Sequence, residues 1–332
     1  MWMNLLWLAA GFVLLIVGGE TLVRGSVGLA RAMGISTLVV GLTVVAFGTS
    51  APELAVNVQA ALRGEGDISF GNIIGSNIAN LGLILGVTAL VRAVRVHSSI
   101  ITREIPIMLL ATALVIFMAL DQPLGLGDVN TFSRANGVIL LGLFAAFIAY
   151  TTAIALRQRT ASKADALVKD LEEEKQEEKP LAVGPAVALT IFGLFAVVLG
   201  GDLTVKGAVG VAEAFGISKA VIGLTIVAIG TSLPELATCV TAALRNHTDI
   251  AIGNVVGSNI WNLLLILAVT ATINPLGVPS GGVGDLAVMG VLSIAVLPLV
   301  LIGPRQLARV EGIALVVGYV AFLTWRTLTA LP

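Results

Sequence analysis

Displaced by 182 positions, the chain aligns with itself without a gap from Gly18 to Gly86, and 42 of those 69 positions are identical. Such self-similarity marks two copies of one structural unit, so any fold must place the same unit twice. GLTVVAFGTSAPEL at 41–54 returns as GLTIVAIGTSLPEL at 223–236, and GNIIGSNIANL at 71–81 returns as GNVVGSNIWNL at 253–263. Gly18-Gly19-Glu20 answers to Gly200-Gly201-Asp202, and Arg24 to Lys206.

The solvent of this repeat is lipid. Of 332 residues, 57% are hydrophobic and only 12% charged, with a mean hydropathy of +1.01. Such a chain cannot clothe a core in charge, which excludes an ordinary cytosolic enzyme, a secreted domain and a disordered protein. Apolar segments run 4–31, 36–62, 68–91, 100–120 and 135–156, then 185–212, 218–244, 250–272, 284–303 and 308–329. Each reaches or approaches the ~20 residues of a bilayer crossing. Lipid offers no partner to backbone polar groups, and the runs do not alternate as barrel strands do, so they read as helices. The expectation is an all-α polytopic membrane protein with about ten transmembrane helices. Five spans separate corresponding points, and five is odd, so the halves cross in opposite directions. An inverted-topology repeat points to a transporter with its site near the midplane.

The domain reading follows: 1–156 is the first transmembrane half, 157–182 a polar linker and 183–332 the second half. The linker reads as a solvated loop with at most a surface helix. With the N-terminus outside, 14 of the 19 Lys and Arg lie near the cytoplasm. The positive-inside rule then places both termini outside and the linker in the cytoplasm of a multi-pass cell (inner) membrane protein. The first ten residues lack the basic region of a cleavable signal peptide. A net charge of −1 offers no basic surface for nucleic acid. The lone Cys239 excludes intrachain disulfides and cysteine metal sites, and His97 and His247 are too few for a histidine-rich centre. Lipid is the expected surrounding, with no obligatory protein partner.

Glu53 lies about four residues from the centre of its span, ~6 Å from the midplane at ~1.5 Å per residue, and Glu235 occupies the matching place. A charge at that depth costs roughly 2.5–3.5 kcal/mol. No Lys or Arg lies at similar depth in the four repeat spans, so a cation from solution is the expected counter-charge. Thr49 and Glu53 are four residues apart, as are Thr231 and Glu235, so each pair shares a helix face. Ser50 and Ser232 sit beside them. Pro52 and Pro234 lack an N–H and crowd the carbonyls of Gly48 and Gly230, so each helix should open there. The carbonyls of Ala46 and Ala228 are expected among those released. Asn72, Ser76 and Asn80, repeated as Asn254, Ser258 and Asn262, form a polar stripe along the following helix. Carboxylate, hydroxyl, amide and carbonyl oxygens suit hard cations such as Ca²⁺ and Na⁺. Two carboxylates balance one Ca²⁺ or two Na⁺, and neutral oxygens could hold a third Na⁺.

The doubled GTSxPE and GNxxGSNxxN segments resemble the two alpha-repeats of the sodium/calcium exchanger family, prokaryotic type, within the cation/calcium exchanger superfamily. The resemblance covers 18–86 and 200–268. It implies alternating-access exchange of Ca²⁺ for Na⁺ without a cofactor or enzyme chemistry, with Glu53 and Glu235 as shared Ca²⁺ ligands. It implies Thr49, Ser50, Ser76, Asn80, Thr231, Ser232, Ser258 and Asn262 as the other site residues, with the carbonyls of Ala46 and Ala228 holding Na⁺. Several members carry Asp where Asn80 or Asn262 stands here, potassium-dependent members among them, which argues against potassium co-transport. The 157–180 segment is too short to replace the large regulatory domain of animal members. A Ca²⁺/H⁺ antiporter using the same glutamates is the nearest alternative. A channel would show flux without coupling, and an intramembrane enzyme would need a nucleophile, a histidine or an aspartate pair at depth, which these spans lack.

Outside the stripe, Asn57 and Cys239, four residues past each Glu, read as core packing, with a place at the edge of the site as the other option, and Asn77 and Asn259 read as helix packing. Glu20/Arg24 and Asp202/Lys206 read as salt bridges near helix ends, with a gate as the other option. Asp67 and Asp249 are expected to cap the following helices. Gly71, Gly75, Gly253 and Gly257 are expected at close helix contacts, and Arg103 and Glu104 at an interfacial helix end.

Overall fold

The computed structural model describes residues 1–122, 125, 129–169, 181–215, 228–301 and 306–330. The chain forms helices α1 (Trp2–Met33), α2 (Thr37–Thr49), α3 (Ala51–Arg63), α4 (Gly66–Val91), α5 (Ile100–Met118) and α6 (Arg134–Lys169). The second half forms α7 (Val183–Ala214), the single turn α8 (Ala228–Gly230), α9 (Leu233–Leu244), α10 (Thr248–Ile273), α11 (Gly282–Leu301) and α12 (Arg309–Ala330). Eight of these are long and apolar enough to span by themselves, and α2 with α3 makes a ninth, bent by 44°. The expected span 218–244 is described only from residue 228, so its first part lies outside the described residues. The polar residues 170–180 of the linker lie outside them too. Helix α6 runs past its expected end at 156 to Lys169, because no glycine or proline stops it between 157 and 169.

Two pairs of two-residue antiparallel strands tie the helix ends: β1 (Val94–Arg95) with β4 (Gln306–Leu307), and β2 (Thr131–Phe132) with β3 (Leu276–Gly277). Each pair joins one half to the other. Strands β1 and β3 begin 182 residues apart, so the repeat extends beyond Gly86 into the loops.

The helices sort by what surrounds them. The most apolar stretch of α10 is 94% buried and that of α4 is 78% buried, against 17% for α6 and α12. The two stripe helices are therefore the centre, and α6 and α12 face lipid. Their polar residues are tolerated because protein, not hydrocarbon, meets them.

Helices α1 and α7 lie antiparallel along one another. Gly11, Gly18 and Gly25 recur every seventh residue on α1, and their copies Gly193, Gly200 and Gly207 recur on α7. A Cβ on Gly18 would stand 2.7 Å from the Val197 nitrogen, and one on Gly207 2.6 Å from that of Leu8. Backbones this close need small residues at the seam. The pair lies against α9; neither helix lies alongside α3 to a comparable extent among the described residues. Perfect twofold symmetry would make the two contacts equal.

The glycines of the central helices divide. Gly253 and Gly257 press on the backbone of α2 at Leu38 and Leu42, as expected. Gly71 and Gly75, expected at close helix contacts, meet nothing within 4 Å among the described residues.

Candidate ion-binding site

The GTSxPE segment breaks where proline requires it. Helix α2 ends at Thr49, Ser50 takes φ −86° and ψ 4°, and α3 restarts with Pro52 in its first turn. Glu53 thus sits in the first turn of α3, where the free N–H groups and the helix dipole favour a carboxylate. The second half repeats this at Ser232, φ −93° and ψ 7°, with Pro234 and Glu235 opening α9. Helices α4 and α10 are continuous, but each widens into a π-turn that begins at its last stripe asparagine, Asn80–Ile84 and Asn262–Ile266. Such turns release backbone groups and recur at functional sites; the sequence reading did not foresee them.

Glu53 and Glu235 are both 2% exposed. Thr49, Ser50, Ser76, Asn80, Ser232, Ser258 and Asn262 are also buried, while Thr231 is half-buried. Hydrogen bonds cross between the halves. Ser50 Oγ donates to Glu235 Oε1 at 3.1 Å, and Thr49 Oγ1 donates to Asn254 Oδ1 at 3.1 Å. Asn72 Nδ2 donates to Thr231 Oγ1 at 3.5 Å, and Asn80 Nδ2 to Asn259 Oδ1 at 3.2 Å. The two GTSxPE breaks and the two stripes therefore meet in one place.

What these groups lack is as informative. Glu53 Oε2, Glu235 Oε2, Ser76 Oγ, Ser232 Oγ, Ser258 Oγ, Asn80 Oδ1 and Asn262 Oδ1 are all buried without a hydrogen-bond partner among the described residues. Each such group costs roughly 1–3 kcal/mol when isolated. All are oxygens, six of the seven form symmetry-related pairs with Ser232 Oγ the exception, and two are carboxylate oxygens. A hard cation satisfies several of them at once.

Four readings of the sequence need correction. The Ala46 carbonyl is not released, since it accepts the Ser50 N–H at 3.0 Å and has the Thr49 hydroxyl 3.4 Å away. In the second half the Ser232 N–H bonds Ile229 instead, so this bond does not occupy the carbonyl of Ala228. Asn57 and Cys239 are not plain packing. Asn57 Nδ2 donates to the Glu53 carbonyl at 2.7 Å and to Asn72 Oδ1 at 2.6 Å, while Cys239 Sγ accepts from Asn254 Nδ2 at 3.3 Å. Each sits behind a stripe asparagine that reaches a threonine of the other half. Asn259 likewise holds Asn80 rather than only filling space, whereas Asn77 bonds the Ile73 carbonyl of its own helix. Asp67 and Asp249 lie in first turns but make no side-chain cap, and Asp249 contacts His97 at 3.2 Å.

The remaining singled-out charges lie away from this cluster. Glu20 pairs with Arg24 at 3.3 Å and Asp202 with Lys206 at 2.6 Å. Glu104 is 2% exposed, buried rather than interfacial, and Asp285 at the position matching Arg103 pairs with Arg326 at 2.8 Å.

Known proteins resemble this chain in sequence and fold. The family profile described as sodium/calcium exchanger protein matches residues 3–153 and 185–328. The sodium/calcium exchanger MaX1 of Methanosarcina acetivorans is 34% identical, over 96% of this chain and 97% of its own. The inner membrane protein YrbG of Escherichia coli is 35% identical, over 95% and 94%. A solved structure of the sodium-calcium exchanger NCX_Mj, soaked with Na⁺ and Sr²⁺, superposes with a TM-score of 0.79 at 32% identity, over 97% of this chain and 98% of that one.

Proposed function

The chain belongs to the sodium/calcium exchanger protein family, and from that premise we propose that it exchanges Ca²⁺ for Na⁺ by alternating access, moving net charge. That it is a multi-pass membrane exchanger of cations and Ca²⁺, not an enzyme, follows from the family; the coupling ion, the charge moved and the site are the proposal. One observation carries it: one oxygen of each buried carboxylate and five buried hydroxyl or amide oxygens, all but Ser232 Oγ mirrored between the halves, have no hydrogen-bond partner among the described residues. Glu53 and Glu235 share Ca²⁺, flanked by Thr49, Ser50, Ser76 and Asn80 and by Thr231, Ser232, Ser258 and Asn262. With Ca²⁺ gone, the same oxygens divide among Na⁺ ions. The neutral Asn80 and Asn262 leave two carboxylates in the set, so three Na⁺ carry one charge beyond the Ca²⁺ they replace. The backbone carbonyl of Ala228, and that of Ala46 once the Ser50 N–H and the Thr49 hydroxyl turn away from it, complete the Na⁺ shells.

Alternating access comes from α1 and α7 sliding as a pair over the site. Their one-sided contact with α9 supports a state closed on the face that bears Arg245 and open on the face that bears Arg63. The distribution of basic residues supports an orientation with the Arg245 face and the 157–182 linker in the cytoplasm and both termini outside the cell (inner) membrane. The test is uptake of radioactive Ca²⁺ into proteoliposomes preloaded with Na⁺, against vesicles without a Na⁺ gradient and vesicles with only a pH gradient. Na⁺-dependent uptake supports the reading, and uptake driven by pH alone replaces it with proton exchange.

A further inference from the structure

Glu20 on α1 has two cationic partners. Its own-helix neighbour Arg24 stands 3.3 Å away, and Arg245, just beyond α9, grips it with two prongs: Nε donates to Oε2 at 2.7 Å, and Nη2 lies 2.7 Å from Oε1. The internal repeat carries every one of these residues to the other face: Glu20 to Asp202, Arg24 to Lys206 and Arg245 to Arg63. There the arrangement differs. Asp202 pairs with Lys206 on its own helix at 2.6 Å, and among the described residues it has no ion pair with Arg63. Its side chain is 51% exposed, against 24% for Glu20. The asymmetry matches that of the helices, since α1 and α7 lie along α9 and, among the described residues, not to a comparable extent along α3.

One molecule thus displays both conditions of one device, one in each half. We infer that Glu20–Arg245 and Asp202–Arg63 are alternate latches, closed in turn as α1 and α7 shift between the two faces. On the closed face the carboxylate is held by the arginine beyond the short helix. On the open face it is held by the cation four residues along its own helix. Arg24 and Lys206 so keep the acid paired in both states, and no stage of the exchange strands a lone carboxylate at the mouth of the pathway. An exposed ion pair is weak, but a latch needs only to tip two states of nearly equal free energy, and removing one moves their ratio about threefold. The inference rests on the alternating-access reading, but it can fail independently of Na⁺ coupling.

Two spin-label rulers, themselves related by the repeat, test it in the purified full chain: Arg31→Cys with Leu244→Cys across α1 and α9, and Glu213→Cys with Leu62→Cys across α7 and α3. All four sites are exposed, while native Cys239 is buried. Arg245→Gln should lengthen the first distance and enlarge the short population of the second. Arg63→Gln should deplete that short population and leave the first ruler at its closed value. The charge exchange Glu20→Arg with Arg245→Glu should restore the wild-type distributions, which separates a latch from simple misfolding. Shifts in the same direction for both arginine variants, or no shift in either, overturn the latches. If the rulers behave as stated but Ca²⁺ uptake ignores Na⁺, only the coupling reading fails.

Discussion

Glu53 and Glu235 are chemically equal but not equally held, because Ser50 donates to Glu235 while Ser232 Oγ has no partner among the described residues. Each has a carboxylate oxygen with no partner among the described residues, and each carries one negative charge, so neither alone neutralises Ca²⁺. The double variant Glu53→Gln/Glu235→Gln should lose Ca²⁺ exchange by at least ~100-fold while still folding, because the amides relieve a buried charge that costs roughly 2.5–3.5 kcal/mol. Uptake near the wild-type rate would overturn the site. Behind the proposed ligands, Asn72 and Asn254 bridge to threonines of the opposite half. Asn254→Leu should raise the Ca²⁺ concentration for half-maximal uptake about tenfold, the usual scale for groups that orient ligands, with protein yield unchanged; an unaltered value would make Asn254 mere packing. The acidic pair and the stripes were legible in the sequence because polar residues inside apolar runs stand out. The role of Asn57 and Cys239 was not, since a buried amide four residues past a ligand looks the same whether it packs or positions.

At the scale of the element, proline and glycine did most of the announcing. Pro52 and Pro234 marked both helix breaks. The freed groups were misassigned at Ala46, because the Ser50 N–H folds back to that carbonyl. The π-turns at Asn80 and Asn262 had no glycine or proline to betray them in both copies. Pro52→Ala restores a helical N–H and should straighten the 44° bend between α2 and α3, weakening Ca²⁺ binding about tenfold by moving Glu53 relative to Glu235; calorimetric titration of the purified protein checks it. The α1/α7 seam makes a separate demand. Gly18→Val places a branched side chain against the Val197 backbone, where even a Cβ would come within 2.7 Å. It should destabilise the protein by ~1–3 kcal/mol or more, seen as a lower melting temperature in detergent. Gly142→Val, with nothing within 4 Å among the described residues, should leave it unchanged. Equal melting temperatures for the two would deny the seam.

Across the whole molecule, the inverted repeat explains the architecture and its departures explain the state. The halves share 42 of 69 aligned residues, yet α1 and α7 favour one side. That asymmetry cannot be read from the chain, because both arrangements satisfy the same sequence. Three Na⁺ for one Ca²⁺ carries one net charge, worth about 1.4 kcal/mol across ~60 mV, so that potential should shift the steady-state Ca²⁺ gradient about tenfold in vesicles clamped with potassium and valinomycin. No dependence on potential would mean electroneutral exchange. The account stands most directly on where the ion sits. Crystals soaked in Sr²⁺ should give an anomalous peak bound by both carboxylates, Glu53 and Glu235, at roughly the 2.3–2.6 Å of Ca²⁺–oxygen bonds, lost when Na⁺ is raised. A map with no such peak, in which the two carboxyl groups keep one arrangement whatever the salt, would contradict it.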